Sequence, residues 1–429
     1  MEKTVINVGL LGMGTVGTGV AKLITSNKNN YKQKIGAELV IKTILVRNPN
    51  KIRQVAVDAA ITTDIKQIVN DPSIDIVVEV MGGENPAKDY MLAALKAGKH
   101  VVTANKDVMS KYGRELFEAA EENSVDLLFE ASVAGGIPII RPLKQCLTAN
   151  NITEVMGIIN GTTNFMLTKM TVEGLDYDSV LAEAQRLGYA EADPTADVGG
   201  LDAARKIAIL ASIAFGSRVT FDNVHIEGIT GVTPEDICYA GELGYIIKLL
   251  AIAKDSENGI DVRVHPTLIP VSHPLSSVNN EFNAIFVRGD AVGETMFYGR
   301  GAGELPTASA VVADVIDVAR DMKNNVSSRI LCTCFDSRPF CPIDQTQDSY
   351  YIRILVDDQP GALAAIAGAF GSQGVSLHSV IQKSQVGKFA ELVLITYDVT
   401  YSYLKQALDI LRGMSVVHKI NSVIRVIKE

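Results

Sequence analysis

Three rhythms of apolar and polar positions divide the chain. Short stretches centred on apolar residues come first, at residues 5–11, 39–46, 74–80, 99–103 and 125–131, each long enough for a strand and none strictly alternating. Such stretches predict strands buried on both faces, as in a parallel sheet sandwiched between helices. Helical stretches separate them, the first from the glycines at 12–17 to Ile24 and another after Pro86. From about 141 to 303 the rhythm breaks. Predicted helices at 142–149, 164–170, 178–187 and 201–215 alternate with strand-like stretches at 152–159, 262–269, 284–288 and 295–298. That mixture predicts a second sheet, antiparallel or mixed, with helices on one face. A further helix at 308–322 follows a glycine-rich turn and is expected to return to the first domain. After Pro339 and Pro342, strand 350–356, helix 362–370, strands 376–383 and 390–399, helix 401–411 and strand 420–427 spell βαββαβ, the ferredoxin-like order.

The expected organisation is α/β in three parts. Residues 1–140 form a Rossmann-type domain completed by the helix near 305–325, residues 141–304 an α+β domain, 326–348 a linker and 349–429 the ferredoxin-like module.

The first strand ends at Leu11 and runs straight into Gly12-Met13-Gly14-Thr15-Val16-Gly17 and a helix. This is the dinucleotide-binding G-x-G-x-x-G fingerprint in its required strand–turn–helix setting. The first glycine makes the turn, the second admits a pyrophosphate to the backbone amides, and the third lets helix and strand approach. A carboxylate after the second strand would hold the ribose hydroxyls of NAD. Arg47 stands there instead, with Lys51 nearby, which favours the 2′-phosphate of NADP and leaves NAD open. Ligands of open parallel sheets sit at the carboxyl ends of the strands, so Ala104-Asn105-Lys106, just past the strand at 99–103, is expected beside the nicotinamide. The Ser132–Pro138 turn holds three small residues in a row, Ala134, Gly135 and Gly136, and Glu130 with neighbouring carbonyls offers oxygens to a small hard cation.

Residues 187–206, LGYAEADPTADVGGLDAARK, bring four acids and two bases into a loop that feeds a helix. Pro194 and Gly199-Gly200 are expected to break any helix before Leu201, so Glu191, Asp193 and Asp197 fall on an irregular segment. Asp202 and Lys206, four apart, share one face of the helix that follows. That helix continues as IAILASIA, too apolar for the surface, so its charged first turn is expected to open onto a cavity. Between strand and helix at 160–164, NGTTN should cap the helix through Thr162 or Thr163.

Composition narrows the partners. A net charge of −9 without a basic block speaks against nucleic acid and anionic membrane, and no apolar run reaches spanning length. The N-terminus reads as a strand and not as a signal peptide, and five irregularly spaced cysteines fit a reduced cytoplasmic setting. Cys332, Cys334 and Cys341 lack a fourth ligand nearby and read as free thiols near a domain junction.

Thr103-Ala104-Asn105-Lys106, NGTTNF at 160–165, GYAEADP…GLDAARK and GRGAGELPTASAVVAD at 299–314 together resemble the homoserine dehydrogenase family along nearly the whole chain. The resemblance implies NAD(P)-dependent interconversion of homoserine and aspartate semialdehyde, a step toward threonine, methionine and isoleucine. It makes the middle domain the catalytic and dimerisation domain, and it implies a homodimer or homotetramer. It implies Lys206 as acid/base, Glu191 and Asp202 facing the substrate, Lys106 close to both cofactor and substrate, and Gly188 and Gly303 near the cofactor. It also implies a monovalent cation such as sodium at Glu130, Val133, Gly135 and Ile137. The chemistry agrees: reducing an aldehyde needs a proton as well as a hydride, no histidine lies in these motifs, and a lysine must serve. Acids complement the substrate ammonium. The C-terminal stretch DDQPGALAAIAGAFGSQGVSLHSV resembles an ACT domain, which implies an amino-acid effector, plausibly threonine; Ser376 stands where many ACT domains carry Asn.

Two rivals carry less. A phosphorylating aspartate-semialdehyde dehydrogenase needs a nucleophilic cysteine, and Cys146 falls in a predicted helix interior. An amino-acid sensor with a non-catalytic nucleotide domain would have no use for Lys106, Asp202 and Lys206.

Overall fold

A computed structural model describes residues 3–53, 55–327, 329–330, 332–387 and 389–428. The chain divides into two units, one of residues 1–153, 208–221 and 283–337, the other of 154–207, 222–282 and 338–429.

The first unit is built on a parallel sheet of β1 (Val5–Leu11), β2 (Glu38–Leu45), β3 (Ala60–Thr62), β4 (Ile76–Glu79), β5 (His100–Thr103) and β6 (Leu127–Leu128), in the order β3-β2-β1-β4-β5-β6. This is the Rossmann order, whose direction reverses between β1 and β4 and opens a crevice at the strands' carboxyl ends. The helix Glu304–Lys323 lies against Thr15–Ser26: Ala308, Val311 and Val315 join Val20, Ala21 and Ile24 in one core, and Lys22 meets Glu304 at 2.6 Å.

The strand expected at 125–131 is cut to two residues, and Glu130–Ser132 turns as a 3₁₀ helix. The cause is Glu130. Its amide donates to Asp314 at 2.9 Å and its carboxylate accepts from the amides of Ile139, Ile140 and Arg141 at 2.6, 2.8 and 2.7 Å, which bends the chain out of the ladder. The helix expected at 142–149 is a five-residue π turn, Pro142–Cys146, and Cys146 sits exposed at its end instead of inside a helix.

In the second unit β7 (Ile152–Ile158), β8 (Tyr245–Ser256), β9 (Gly259–Pro270), β10 (Gln347–Asp357), β11 (Leu377–Val386), β12 (Phe389–Thr396) and β13 (Val417–Val426) run in the order β7-β8-β9-β13-β10-β12-β11. The last four strands, with helices Ala362–Ser372 and Tyr401–Arg412, form an antiparallel βαββαβ module around Tyr350, Ile352, Phe370 and Leu404. Its last strand pairs in parallel with β9 through Thr267–Arg425 and Leu268–Val426. Strand β8 had no signature in the sequence because Lys248 interrupts an apolar run; the amine is buried and donates to Val278 O at 2.6 Å, Asn164 Oδ1 at 3.1 Å and Asn279 Oδ1 at 3.2 Å. Among the described residues no helix is long and apolar enough to cross a membrane.

A buried ion network ties the βαββαβ module to the helix Pro234–Glu242. Arg353 on β10 donates to Asp236 at 2.7 Å and to Glu391 at 2.8 Å, and Asp236 is wholly buried. Removing one member of such a network leaves uncompensated buried charge, at a cost of about 3 to 5 kcal/mol. Arg353→Met should therefore lower the urea midpoint by an equivalent amount, whereas Arg288→Ala, which breaks the exposed pair with Glu294, should change it little. Equal midpoints for the two variants would contradict this account.

Candidate active site

In the first unit the glycine turn does what its sequence requires. A Cβ on Gly17 would lie 2.2 Å from the carbonyl oxygen of Gly12, so only glycine lets the helix start this close to the strand. A Cβ on Gly14 would meet nothing within 4 Å. The open space lies at the start of the helix Thr15–Ser26, whose N-cap, Gly14, has no side chain to satisfy the first amides. Leu11 closes the strand behind the turn, and Met13, Thr15 and Val16 carry it into the helix.

A cleft of about 580 Å³ runs from Gly12 and Gly14 to Arg47 and Lys51, past Val80 and Met81. Arg53 folds the far rim by donating to the carbonyls of Asn48, Pro49 and Lys51 at 2.8, 3.0 and 2.9 Å. Arg47 and Lys51 face the cleft beyond β2 together with Arg53. The turn, the helix start and these cations fit a dinucleotide with an added phosphate.

At the carboxyl ends of β4 and β5 a chain of hydrogen bonds sets Lys106. Glu79, fully buried, accepts from Thr103 Oγ1 at 2.6 Å and from Met81 N at 2.8 Å. Burial pushes its carboxyl up, and these hydrogen bonds oppose the shift. Thr103 Oγ1 in turn accepts from Asn105 N at 3.0 Å. Asn105 donates to Gly83 O at 2.8 Å and caps the helix Lys106–Glu122 through Val108 N at 3.1 Å. Ala104 and Lys106 are thereby held at the mouth of the crevice, on the first helical residue in the case of Lys106. Glu79 carries no motif of its own and went unremarked in the sequence.

The loop from Glu130 to Ile137 turns through Ala134 and Gly135, both left-handed with φ of 56° and 52°. The Glu130 carboxylate is committed to three backbone amides, so a cation at this loop would depend on main-chain oxygens. Among the described residues no three acidic, histidine or cysteine side chains form a metal-binding group. Asp314 behind the loop is wholly buried. Burial and the neighbouring Glu130 push its carboxyl up, while Arg141, donating at 2.6 Å, opposes the shift. Gly303, with φ of 123°, precedes the Glu304–Lys323 helix in this same unit.

In the second unit the charged stretch collects around one amide. Lys206, on the helix Leu201–Ala214, donates to Asp202 Oδ2 at 2.7 Å and to Ile159 O at 2.8 Å. The Asn160 side chain donates to the same Asp202 oxygen at 2.9 Å and to Asp197 at 2.7 Å. Its oxygen accepts from Thr163 N at 2.9 Å, so Asn160 is the cap of the helix Gly161–Glu173, and not Thr162 or Thr163. Thr162 binds the carbonyl of Tyr189 at 2.6 Å and Phe165 packs on the Tyr189 ring at 4.8 Å, anchoring the turn after Gly188, itself left-handed at 78°. Asp197 sits on a four-residue helix, Thr195–Val198, where an irregular segment was expected; Pro194 begins that turn and Gly199 ends it. Lys206 and Asp202 side chains are 13% and 12% exposed, so their charges are shielded from most solvent. The structure brings Asp202, Lys206 and Asp197 together; Glu191 lies exposed on the preceding loop and stays outside that cluster.

A half-buried lysine with two acceptors retains one N–H direction, and two carboxylates oriented by one amide make a receptor for a cation. In the other unit a glycine turn and nearby cations suit a phosphorylated dinucleotide. Residues 138–316 match the homoserine dehydrogenase family model, residues 12–130 its NAD-binding domain and residues 350–414 the ACT domain. A homoserine dehydrogenase of Bacillus subtilis is 45% identical over 98% of both chains. The crystal structure of one from Thiobacillus denitrificans superposes with a TM-score of 0.95 at 43% identity, covering 100% of each chain. A hyperthermophilic archaeal homoserine dehydrogenase in complex with NADPH matches 73% of this chain and 97% of its own, with a TM-score of 0.62 at 28% identity. With its NAD(P)-binding domain, its middle segment and its ACT domain all matched, and a close relative aligned almost end to end, the chain belongs to the homoserine dehydrogenase family.

Proposed function

We propose that this chain interconverts L-homoserine and L-aspartate 4-semialdehyde, using NADP in preference to NAD, and that Lys206 moves the proton. The observation that carries the reading is the shielded Lys206–Asp202–Asn160–Asp197 hydrogen-bond chain. Nicotinamide, when bound, accepts or supplies the hydride.

Lys206 is fixed by two acceptors, Ile159 O and Asp202, and its remaining N–H serves the substrate oxygen, giving a proton when the aldehyde is reduced and taking one when the alcohol is oxidised. Asp202 and Asp197 complement the substrate ammonium, and Asn160 keeps both carboxylates at one spacing. Glu191, on its exposed loop, is a substrate contact that needs the loop to close over the bound amino acid. Lys106, set by Glu79 through Thr103 and Asn105, serves the cofactor in the first unit. Gly303 borders the cofactor, where a side chain would obstruct it. A monovalent cation held by carbonyls of Glu130, Val133, Gly135 and Ile137 would stiffen the loop beside the sheet; it takes no part in proton or hydride transfer. The ACT module binds an amino-acid effector, with threonine as first candidate, in a homodimer or homotetramer.

Homoserine should drive reduction of NADP, followed by absorbance, and absence of turnover on homoserine with either nucleotide would remove the reading. Lys206→Ala should lower kcat by several orders of magnitude while cofactor affinity is retained; near-normal kcat would remove the proton assignment. Arg47→Ala should raise KM for NADP at least tenfold and leave that for NAD nearly unchanged, since one charge-assisted phosphate contact contributes about 1.5 to 3 kcal/mol. A ratio of the two constants equal to wild type would exclude Arg47 as the discriminator. Saturating threonine should lower turnover and raise the melting temperature; no change in either would dismiss threonine as effector.

A further inference from the structure

Cys332 and Cys334, separated by Thr333, lie outside the chemistry proposed above, yet their surroundings set them apart from the other thiols. Each thiol is the largest single influence on the other's ionisation. Arg218 donates to the Cys332 sulfur through Nη2 at 3.4 Å, and its Nε is buried without a partner. Lys144 lines the same small cavity, its amine 5.0 Å from the Phe117 ring and 5.5 Å from that of Phe129. Cys334 lies 3.8 Å from the carbonyl of Ser212. Both cysteines are half-buried. None of the other three thiols has this setting. Cys146 and Cys238 are exposed, Cys238 points at the carboxylate of Glu242, and burial pushes the Cys341 thiol up.

A sulfur with an arginine in contact, a lysine across the cavity and a second thiol alongside has the make-up of an oxidisable pair: a thiolate favoured by cations and a resolving partner. We propose that Cys332 and Cys334 form a peroxide-sensitive dithiol, in which Cys332 attacks the peroxide and Cys334 resolves the product to a disulfide. The Cys332 thiolate attacks one oxygen of hydrogen peroxide, the O–O bond breaks, and hydroxide leaves to become water on protonation; Cys332 is then a sulfenic acid. Cys334, giving up its proton, attacks that sulfur, the S–O bond breaks, and a second water departs. Two thiols and one peroxide become one disulfide and two waters; the sulfurs lose two electrons and the peroxide gains them. Electrostatics favour this order of events. The Cys334 side chain lowers the Cys332 thiol well below the ordinary thiol range, with Arg218 and Lys144 assisting and burial opposing. The Cys332 side chain, together with burial, raises Cys334. Burial also draws the Lys144 amine down to about 8, so its charge beside the sulfur is the first to weaken in alkali.

Accessibility alone would expose Cys146 and Cys238 to oxidation first, whereas thiolate character selects Cys332, and peptide mass spectrometry separates the two. The reduced full-length protein, treated with an equivalent of hydrogen peroxide, should lose two hydrogens in the peptide carrying Cys332 and Cys334 before Cys146 or Cys238 is modified, and dithiothreitol should restore them. In Cys334→Ser, dimedone should trap a sulfenic acid on Cys332. In Cys332→Ser, Cys334 should stay reduced. Prior oxidation of Cys146 or Cys238, or dimedone labelling of Cys332 that does not rise in Cys334→Ser, would overturn the proposal. Should either variant fold poorly, alkylation of the wild type by iodoacetamide at mildly acid pH decides it: Cys332 must react fastest, and a slower rate than the exposed thiols refutes the assignment.

Discussion

Asn160 spends its whole amide. Its oxygen caps one helix, and its two N–H groups hold carboxylates from a second and a third. Three short segments with little hydrophobic surface in common are thereby fixed to the end of β7, and Lys206, donating to Ile159 O, is fixed to the same point. Carboxylates and an amine shielded from water require partners, because an unpaired charge in that setting is costly. Meeting that requirement also defines the spacing of the acid groups a substrate would meet. Under the proposed function, structural need and chemical use coincide in one side chain, and Asn160 acts as a positioning residue.

The first unit repeats the device with a different amino acid. Glu79 lies at the end of a strand with no water to solvate it, and its two oxygens are taken by Thr103 and Met81. The loops after β4 and β5 are thus linked by one buried carboxyl, and Asn105 adds a second link through Gly83. Lys106 inherits its place from this arrangement. Glu130 binds three consecutive amides and sets the turn after β6 in the same way. Three successive strands of the parallel sheet therefore end in polar groups that organise backbone.

Local pattern revealed what local physics decides. The strand at 5–11 and the glycine turn were legible because a parallel buried strand is a largely apolar run and because only glycine tolerates a 2.2 Å approach to Gly12 O. The βαββαβ module was legible because each of its elements has a clean period and a turn at its end. The cap at Asn160 was not: N-G-T-T offers three side chains able to accept, and the choice is made by Asp197, 37 residues away. Strand β8 was hidden by Lys248, whose amine finds three oxygens only once the chain has folded. Glu79 was silent because a glutamate closing a strand looks like a surface residue until its neighbours are known.

The attachment of the ACT module follows from the same economy. Parallel pairing of β13 with β9 makes the module's last strand continuous with a strand of the substrate half, and Arg353 joins β10 to the capping box of the helix Pro234–Glu242 through Asp236. Ser422 on β13 and Tyr239 on that helix complete the set, donating to Asp236 at 2.6 Å and to Glu391 at 2.8 Å. Every member is charged or hydrogen-bonded and nearly all are buried, so the set tolerates small displacements poorly: a shift of β10 that lengthens one bond exposes a charge to an apolar surrounding. An effector influences a distant reaction only by binding two arrangements of the protein with different affinity. Within this unit, a network that is either fully paired or costly is the element best suited to hold two such arrangements apart, and the helix it caps leads within three residues into β8, which carries Lys248 and, through it, the Asn164 end of the NGTTNF turn.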